Sequence, residues 1–366
     1  MFSKNKVDKP LLVTILILLF FGLVIFSSAA LGVLSSNEVK FYSVIETQLV
    51  YALIGGLAVL FFGSIIPFNF YKKYAYHIFG FALFLTVLVF IPGLSIFHGG
   101  AHRWISIGPL TLQPSEALKF GFVIFMAMWS ATYRKLFKDF RFGLVPFILS
   151  SVIISLIMLK QPDLGTLLVI LFSGFAVYFS GGARMRHLLT IFGIGTFALV
   201  SIILLSPYRM ERVMTFFDSS RDLKGSSWQL NQSLIAVGSG GVFGRGLGQG
   251  VQKFNYLPEP IGDSIFAVAS EELGLLGALI IIILYGIVIY RGVFIANNTE
   301  DQFGRLLAVG IVSIIFAQAT INISSMIGIF PLTGVPLPLI SHGGTALMVS
   351  LFELGVLLNI SKSLNI

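Results

Sequence analysis

The chain has 366 residues, of which 56% are hydrophobic and only 11% are charged. A soluble domain carries about 25% charged residues, so this composition excludes an ordinary soluble globular protein and makes the lipid bilayer the solvent for most of the chain. The net charge of +8 does not indicate a nucleic-acid partner, because Lys and Arg in a membrane protein mark topology and contact anionic lipids. The chain contains no cysteine, which excludes disulfides and thiolate metal sites.

Apolar runs separated by charges predict an all-α polytopic membrane protein with ten transmembrane helices. Spanning segments should be helical because backbone groups in lipid must be hydrogen-bonded internally. The charge-free stretch from Arg305 to Glu353 is too long for one helix, and Pro331, Pro336 and Pro338 divide it. The predicted spans are 11–34, 46–72, 73–103, 113–133, 142–159, 164–183, 187–207, 263–290 and the two parts of 305–353. We expect these spans to form a single membrane domain, 1–366.

The cations of the short connections predict the orientation of the spans. Lys and Arg accumulate in short cytoplasmic loops, so we expect both termini in the cytoplasm. Residues 208–262 then form a large extracytoplasmic loop between the seventh and eighth helices. The short inner connections contain Lys72, Lys73, Arg134, Lys135, Lys138, Arg141, Arg184, Arg186, Arg291 and Arg305.

Ionisable residues lie at the starts of three predicted helices that face the outer side. A proline at the first helical position places Glu116 in the first turn of the fourth helix, and Lys119 follows on the same face. Asp163 opens the sixth helix, and Asp263 is expected to cap the eighth. Acids at helix N-termini are also stabilised by the helix dipole alone. Because Lys119 and Arg103 accompany three separate acids, we favour a functional cluster near the outer interface.

Three further features carry expectations of their own. The segment Gly238–Gly250 has seven glycines in thirteen residues and is neither a Walker A loop nor a dinucleotide-binding turn, so nucleotide binding is not expected. Arg245 within this segment could meet a phosphate. Glu272, two turns into the eighth helix, is expected to be a buried partner for another helix. His342, near the start of the tenth helix, is expected to pack or to form a hydrogen bond.

Short motifs extend along the whole chain. They are Arg103-Trp104-Ile105, Gln113-Pro114-Ser115-Glu116, Gln161-Pro162-Asp163, Tyr208-Arg209, Glu211-Arg212, Gln229-Leu230, Gln232-Ser233, Gly244-Arg245-Gly246-Leu247-Gly248-Gln249, Leu257-Pro258-Glu259, Asp263, Glu271-Glu272-Leu273-Gly274 and Pro336-Leu337-Pro338-Leu339-Ile340-Ser341. Together they resemble the SEDS family (shape, elongation, division and sporulation), the polytopic glycosyltransferases of the bacterial cell wall. Stretches 244–249 and 252–259 are more similar to the division branch, FtsW, than to the elongation branch, RodA.

This resemblance implies a ten-helix SEDS fold and an activity. The activity is polymerisation of lipid II, the undecaprenyl-pyrophosphate-linked disaccharide-peptide, into glycan strands during septal cell-wall synthesis. It implies that Asp263 is the key acid. The family usually has His-Thr before this Asp and Tyr in the tenth-helix motif, whereas this chain has Ile261-Gly262 and His342. It also implies the bacterial cytoplasmic membrane as the location, and a class B penicillin-binding protein and other divisome proteins as partners.

An inverting glycosyl transfer needs a base for the 4-hydroxyl of the acceptor sugar, and we assign this role to Asp263. The leaving lipid pyrophosphate needs positive charge, which Arg103, Lys119 and Arg245 are expected to supply. A divalent cation, Mg or Mn, would be held by candidates among Glu116, Asp163 and Asp263. Ser341 and His342 complete the candidate substrate-binding residues, and no nucleotide or haem is expected. A lipid II flippase or transporter and a non-catalytic scaffold of the division machinery remain alternatives.

Overall fold

The computed structural model describes residues 6–36, 38–98, 101–107, 110–217 and 226–364. Helices dominate this part of the chain, and two π-helical segments, Thr47–Ile54 and Phe140–Leu144, lead into α3 and α7. The helices are α1 (Lys9–Ser36), α2 (Glu38–Glu46), α3 (Gly55–Ile65), α4 (Phe68–Lys73), α5 (Ala75–Leu88), α6 (Pro114–Thr132), α7 (Val145–Lys160), α8 (Leu164–Ser180), α9 (Met185–Leu204), α10 (Pro207–Phe217), α11 (Ser226–Ser239), α12 (Ile265–Asn298), α13 (Gln302–Met326) and α14 (Gly344–Ser361).

Each of the ten predicted spans contains a helix, but their lengths differ. Seven helical segments of the described chain are long and apolar enough to cross a membrane. These are Lys9–Ser35, Phe41–Ile65, Phe140–Lys160, Met185–Leu204, Ile265–Asn298, Gln302–Met326 and Gly344–Ser361. Helices α5 and α8 are apolar but shorter, and α6 carries the buried charges of Glu116 and Lys119. The chain is therefore a multi-pass membrane protein, and the count of ten crossings stays a prediction.

A small sheet interrupts the helices between α5 and α6. The third apolar run was expected to be helical as far as Arg103, but α5 ends at Leu88. The chain then forms a three-stranded antiparallel sheet in the order β1 (Ser95–His98), β2 (Ala101–Ile107) and β3 (Leu110–Leu112). Pro92 lacks an N–H group and cannot continue a helix, and Gly93 follows it with a φ of +89°. Arg103 therefore lies on a strand.

The predicted loop 208–262 is partly helical, because α10 and α11 lie within it. Residues 218–225 of this prediction lie outside the described residues. The eighth span was expected at Asp263–Tyr290, whereas α12 begins at Ile265 and continues to Asn298 with a non-helical residue, Gly274, inside it. The prediction ended the span before Arg291 because a charged residue usually marks the membrane boundary. The helix itself continues past this boundary, since an arginine does not interrupt helical structure.

Helices α6 and α13 lie at the centre of the molecule. Most residues of α6 are buried, and α13 packs against α6, α8, α12 and α14. Close approach depends on glycine, since a Cβ on Gly310 of α13 would lie 2.1 Å from Val123 Cγ1 of α6. After α13 the chain follows an irregular segment, 331–343, with a turn at 338–340, that leads into α14. This segment positions the candidate site.

Candidate active site

Asp263 lies in the turn before α12 and is partly buried. Gln229 of α11 donates its Nε2 to both carboxylate oxygens, at 3.4 and 3.3 Å, and to Ser264 Oγ at 3.1 Å. Asn322 of α13 donates its Nδ2 to the carbonyl oxygens of Asp263, at 2.7 Å, and of Val335, at 2.8 Å. The prediction that Asp263 caps α12 is wrong, because Ser264 occupies the N-cap position.

The surroundings of Asp263 favour its protonated form more than water does. Burial raises the pKa of Asp263 to about 6, and the negative charge of Glu259 acts in the same direction. The hydrogen bond from Gln229 and the positive charge of Arg212 lower the pKa and oppose this shift. At neutral pH the carboxyl is therefore ionised, yet it is a stronger base than an ordinary aspartate.

The starts of α6, α8 and α12 meet the same stretch of chain near the start of α14. A Cβ on Gly165 of α8 would lie 2.6 Å from the Val335 side chain. Ser341 donates its Oγ to the carbonyl oxygen of Gly262 at 2.7 Å. Thr345 Oγ1 accepts a hydrogen bond from the backbone N–H that precedes α6, at 3.3 Å. The three acidic helix starts therefore share one end of the molecule, as their motifs predict.

Glu116 and Lys119 form the ion pair that their spacing predicts. Lys119 Nζ lies 2.7 Å from Glu116 Oε2, and both residues are 1% exposed. Glu353 of α14 is a third buried ionisable residue close enough to act electrostatically on this pair. Because Lys119 is enclosed and already paired with a carboxylate, it presents no free charge to a headgroup in this structure. Its predicted contact with substrate requires a rearrangement.

Asp163 and Arg103 both stabilise the turn before α8. The Asp163 carboxylate accepts hydrogen bonds from the Thr166 backbone N–H, at 3.1 Å, and from Thr166 Oγ1, at 2.9 Å, so Asp163 is the N-cap of α8. Arg103 donates its Nε to the carbonyl oxygen of Gln161 at 3.1 Å and its Nη2 to that of Pro162. Their substrate-binding roles stay predictions, since these contacts are structural.

The three acids proposed as metal ligands do not converge on one point. Within the described ranges there is no group of three His, Asp or Glu side chains that could hold a metal ion. Glu116 is neutralised by Lys119, and Asp163 is engaged at its helix start. The expectation of a shared cation site formed by Glu116, Asp163 and Asp263 therefore does not fit this arrangement.

Arg245 and His342 contact different parts of the molecule. The Arg245 side chain is 42% exposed, and its Nη1 lies 3.6 Å from Glu271 Oε1. The His342 ring stacks on Phe26 of α1 at a centroid distance of 5.6 Å, and its Nδ1 lies 3.1 Å from Gln48 Oε1. The expectation that His342 packs and forms a hydrogen bond is confirmed.

Glu272 has the buried partners that its place on α12 predicts. Lys253 Nζ lies 2.6 Å from Glu272 Oε1, and Ser28 of α1 donates its Oγ to the same carboxylate at 2.6 and 2.7 Å. All three side chains are buried. We call this group, Ser28, Lys253 and Glu272, the buried clamp, because it joins α1, the segment between α11 and α12, and α12 itself.

Four residues near Asp263 were not selected from the sequence as site residues. Gln229, Arg212 and Glu259 all lie in the family-like motifs. Gln229 and Arg212 are far from Asp263 in the sequence. Glu259 is near it in the sequence, but no local pattern predicts how close the two side chains lie. Asn322 is a buried amide within the apolar sequence of α13, which was the signal that could have identified it.

The comparisons with known proteins agree with the motifs. Residues 9–366 match the sequence model of the family described as "Cell cycle protein", which groups FtsW, RodA and SpoVE. The stage V sporulation protein E of Bacillus subtilis is 38% identical over 361 residues, which cover 98% of each chain. The probable peptidoglycan glycosyltransferase FtsW of Trichlorobacter lovleyi is 35% identical over 368 residues, covering 100% of this chain and 96% of the relative.

Solved structures share the fold. A chain from a structure of a peptidoglycan synthase complex, described as coordinating polymerization and crosslinking, superposes with a TM-score of 0.78 at 27% identity, covering 98% of both chains. The rod shape determining protein RodA of Thermus thermophilus superposes with a TM-score of 0.71 at 26% identity, again covering 98% of both. The resemblance indicated by the motifs is confirmed: this chain belongs to the SEDS family.

Proposed function

We propose that this protein is a peptidoglycan glycosyltransferase that polymerises lipid II into glycan strands, with Asp263 as the general base. The observation that carries the proposal is a partly buried carboxylate whose pKa is raised to about 6, at the end of the molecule that the starts of α6, α8 and α12 share. Curated relatives named as probable peptidoglycan glycosyltransferases support the reaction class.

The proposed reaction is an inverting displacement between two lipid-linked molecules. The acceptor's 4-hydroxyl oxygen attacks the anomeric carbon of the donor sugar and gives its proton to Asp263. The bond from that carbon to the lipid pyrophosphate breaks at the same time, and the pyrophosphate leaves with the bonding electrons. A base in hydrogen-bond reach of the attacking hydroxyl contributes about 10²–10⁴-fold to such a step.

The chain's own residues prepare Asp263 for this role. Gln229 holds the carboxylate oxygens from one side, and Asn322 fixes the backbone of Asp263 against segment 331–343. Arg212 is the cation whose charge acts on Asp263, and its Nη1 donates to the Leu332 carbonyl oxygen at 2.9 Å. We therefore propose Arg212 as the nearest source of positive charge for the leaving pyrophosphate, ahead of the enclosed Lys119.

The wider setting of the activity is part of the same proposal. We propose that both termini lie in the cytoplasm and that Asp263 lies on the outer side of the bacterial cytoplasmic membrane, where lipid-linked precursors are joined. The FtsW-like stretches support a role in septal synthesis during division. A class B penicillin-binding protein is the proposed partner, supported by the structural similarity to a chain of a peptidoglycan synthase complex.

Purified protein in liposomes with lipid II separates this function from its two rivals. A polymerase converts lipid II into glycan strands that a muramidase digests. A flippase moves the lipid II headgroup across the bilayer without forming polymer. A scaffold does neither in the absence of a partner. Headgroup translocation with no polymer, or polymer only from a contaminating synthase, would overturn the proposal.

A further inference from the structure

Helix α12 is broken at Gly274, whose φ of 68° and ψ of −165° are not helical. In an unbroken helix the carbonyls of residues 271 and 272 would accept from the N–H groups of residues 275 and 276. Instead, all four groups pair with the loop 240–252. The bonds are Arg245 N–H to Glu271 O at 3.0 Å, Gly246 N–H to Glu272 O at 3.0 Å, Leu275 N–H to Gly241 O at 2.9 Å and Leu276 N–H to Val242 O at 3.2 Å. The loop therefore replaces the missing helical turn.

The contact between loop and helix is too close for side chains. Gly244 has a φ of +80°, and a Cβ placed on it would lie 2.1 Å from the Glu272 carbonyl oxygen. A Cβ on Gly274 would lie 2.3 Å from the backbone nitrogen of Gly244. The glycines of this segment thus serve backbone-to-backbone packing against α12.

Most backbone N–H groups of the loop are paired within the protein. Seven of the nine N–H groups of residues 244–252 donate to protein oxygens. The Glu271 carboxylate accepts from Val251 at 2.9 Å and from Gln252 at 3.1 Å, and the Glu272 carboxylate accepts from Gly248 at 3.2 Å. Backbone within a bilayer must be paired in this way, whereas a loop in water has no such requirement.

The large hydrophobic side chains of the loop are exposed, although Arg245 and Gln249 are exposed as well. Phe243 is 82% exposed and Leu247 is 53% exposed, and Leu275 and Leu276 of α12, whose N–H groups pair with the loop, are 54% and 47% exposed. The loop and this part of α12 therefore both present apolar side chains at their surface. An apolar surface of this kind on a chain marks contact with lipid or with another protein.

The depth of this surface favours lipid. No charged residue lies between Glu272 and Arg291, and the sixteen steps from Leu275 to Arg291 span about 24 Å at a rise of about 1.5 Å per step. The hydrocarbon core of a bilayer is about 30 Å thick, so Leu275 lies inside it when Arg291 marks the opposite boundary. The loop 240–252 pairs with α12 at residues 271–276, so it lies at the same depth as Leu275.

We propose that the loop 240–252 is inserted into the leaflet nearest Gly274, with Phe243 and Leu247 among the acyl chains and Arg245 at the level of the lipid phosphates. In the orientation proposed above this is the outer leaflet. The insertion holds α11, and with it Gln229, at a fixed depth beside Asp263. The inference stands on backbone pairing and depth, so it can fail without affecting the proposed reaction.

Because the chain has no cysteine, single labelling sites test the proposal. Phe243→Cys and Leu247→Cys carry an environment-sensitive fluorophore in phosphatidylcholine nanodiscs, with no partner protein present. Ile283→Cys, an exposed position in the middle of the α12 span, is the membrane reference, and Glu300→Cys, beyond Arg291, is the aqueous reference.

We expect lipids with a nitroxide high on the acyl chain to quench the labels at 243 and 247. Iodide in the aqueous phase should quench these two labels much less than it quenches the label at 300. The label at 283 should respond most to a nitroxide deep in the acyl chain. Iodide quenching at either loop position equal to that at 300 would overturn the proposal and assign the surface to a protein partner. Polymerisation measured on the same nanodiscs reports separately on the proposed function.

Discussion

The buried clamp gives a stability prediction whose size follows from its geometry. Lys253 and Glu272 are each 1% exposed and their charged atoms are 2.6 Å apart. Lys253→Met removes the ammonium group but keeps an apolar side chain of similar length. Glu272 then remains buried and charged, with hydrogen bonds from Ser28 and the Gly248 N–H as its remaining support.

Removing one partner of a buried ion pair costs about 3–5 kcal/mol, because the other charge is left without compensation. At about 2.1 cal/mol/K of unfolding entropy per residue, a chain of 366 residues loses roughly 1.3 °C of melting temperature per kcal/mol. We therefore expect Lys253→Met to lower the melting temperature by about 4–6 °C.

Thermal unfolding in detergent, followed by tryptophan fluorescence and by size-exclusion recovery, measures this loss. Lys135→Met, at an exposed cation, is the matched control and should leave the melting temperature unchanged. The double variant Lys253→Met with Glu272→Gln removes the uncompensated charge and should recover most of the loss. Equal melting temperatures for Lys253→Met and Lys135→Met, or a double variant less stable than the single one, would refute the reasoning.

Three further predictions concern the site and the loop. The polymerisation rate should rise with pH through about 6, because Asp263 ionises there. Glu259→Gln removes a neighbouring negative charge and should move the midpoint of the pH–rate profile to lower pH. An unmoved midpoint would contradict this prediction. Gly244→Ala should lower the melting temperature, since the Cβ would overlap a backbone oxygen of α12, whereas Gly238→Ala has open space and should not. Asp163→Ala should lower the free energy of unfolding by about 1 kcal/mol, because it removes the N-cap of α8. Asp163→Asn keeps a hydrogen-bond acceptor and should cost less. Equal losses of stability in thermal unfolding would contradict the capping role of Asp163.

Charge pattern and helix-start signals predict much of the helical framework, because they are local. The start of α6, the cap at Asp163 and the i,i+3 pair of Glu116 with Lys119 all depend on residues within one turn. The sheet before α6 was missed because an apolar run of mixed β-branched and aromatic residues is compatible with either a helix or strands.

The site is less predictable than the framework, since its contacts join distant parts of the chain. Gln229 reaches Asp263 across 34 positions and Asn322 reaches it across 59. Nothing local indicates that Lys119 is enclosed, or that the carbonyls freed at Gly274 pair with N–H groups 26 residues earlier. Both outcomes depend on how helices pack, which short sequence patterns do not determine.

The most direct test of the account is a time course of glycan-strand formation from purified lipid II by the wild-type protein and by Asp263→Asn. The Asp and Asn side chains have nearly the same shape, so the variant should keep the fold. An unchanged size-exclusion profile and a melting temperature no lower than that of the wild type would confirm this. We predict that Asp263→Asn lowers the initial rate at least about 100-fold, the smaller end of what a general base contributes. A rate within a few-fold of the wild type would contradict the assignment of Asp263 as the base.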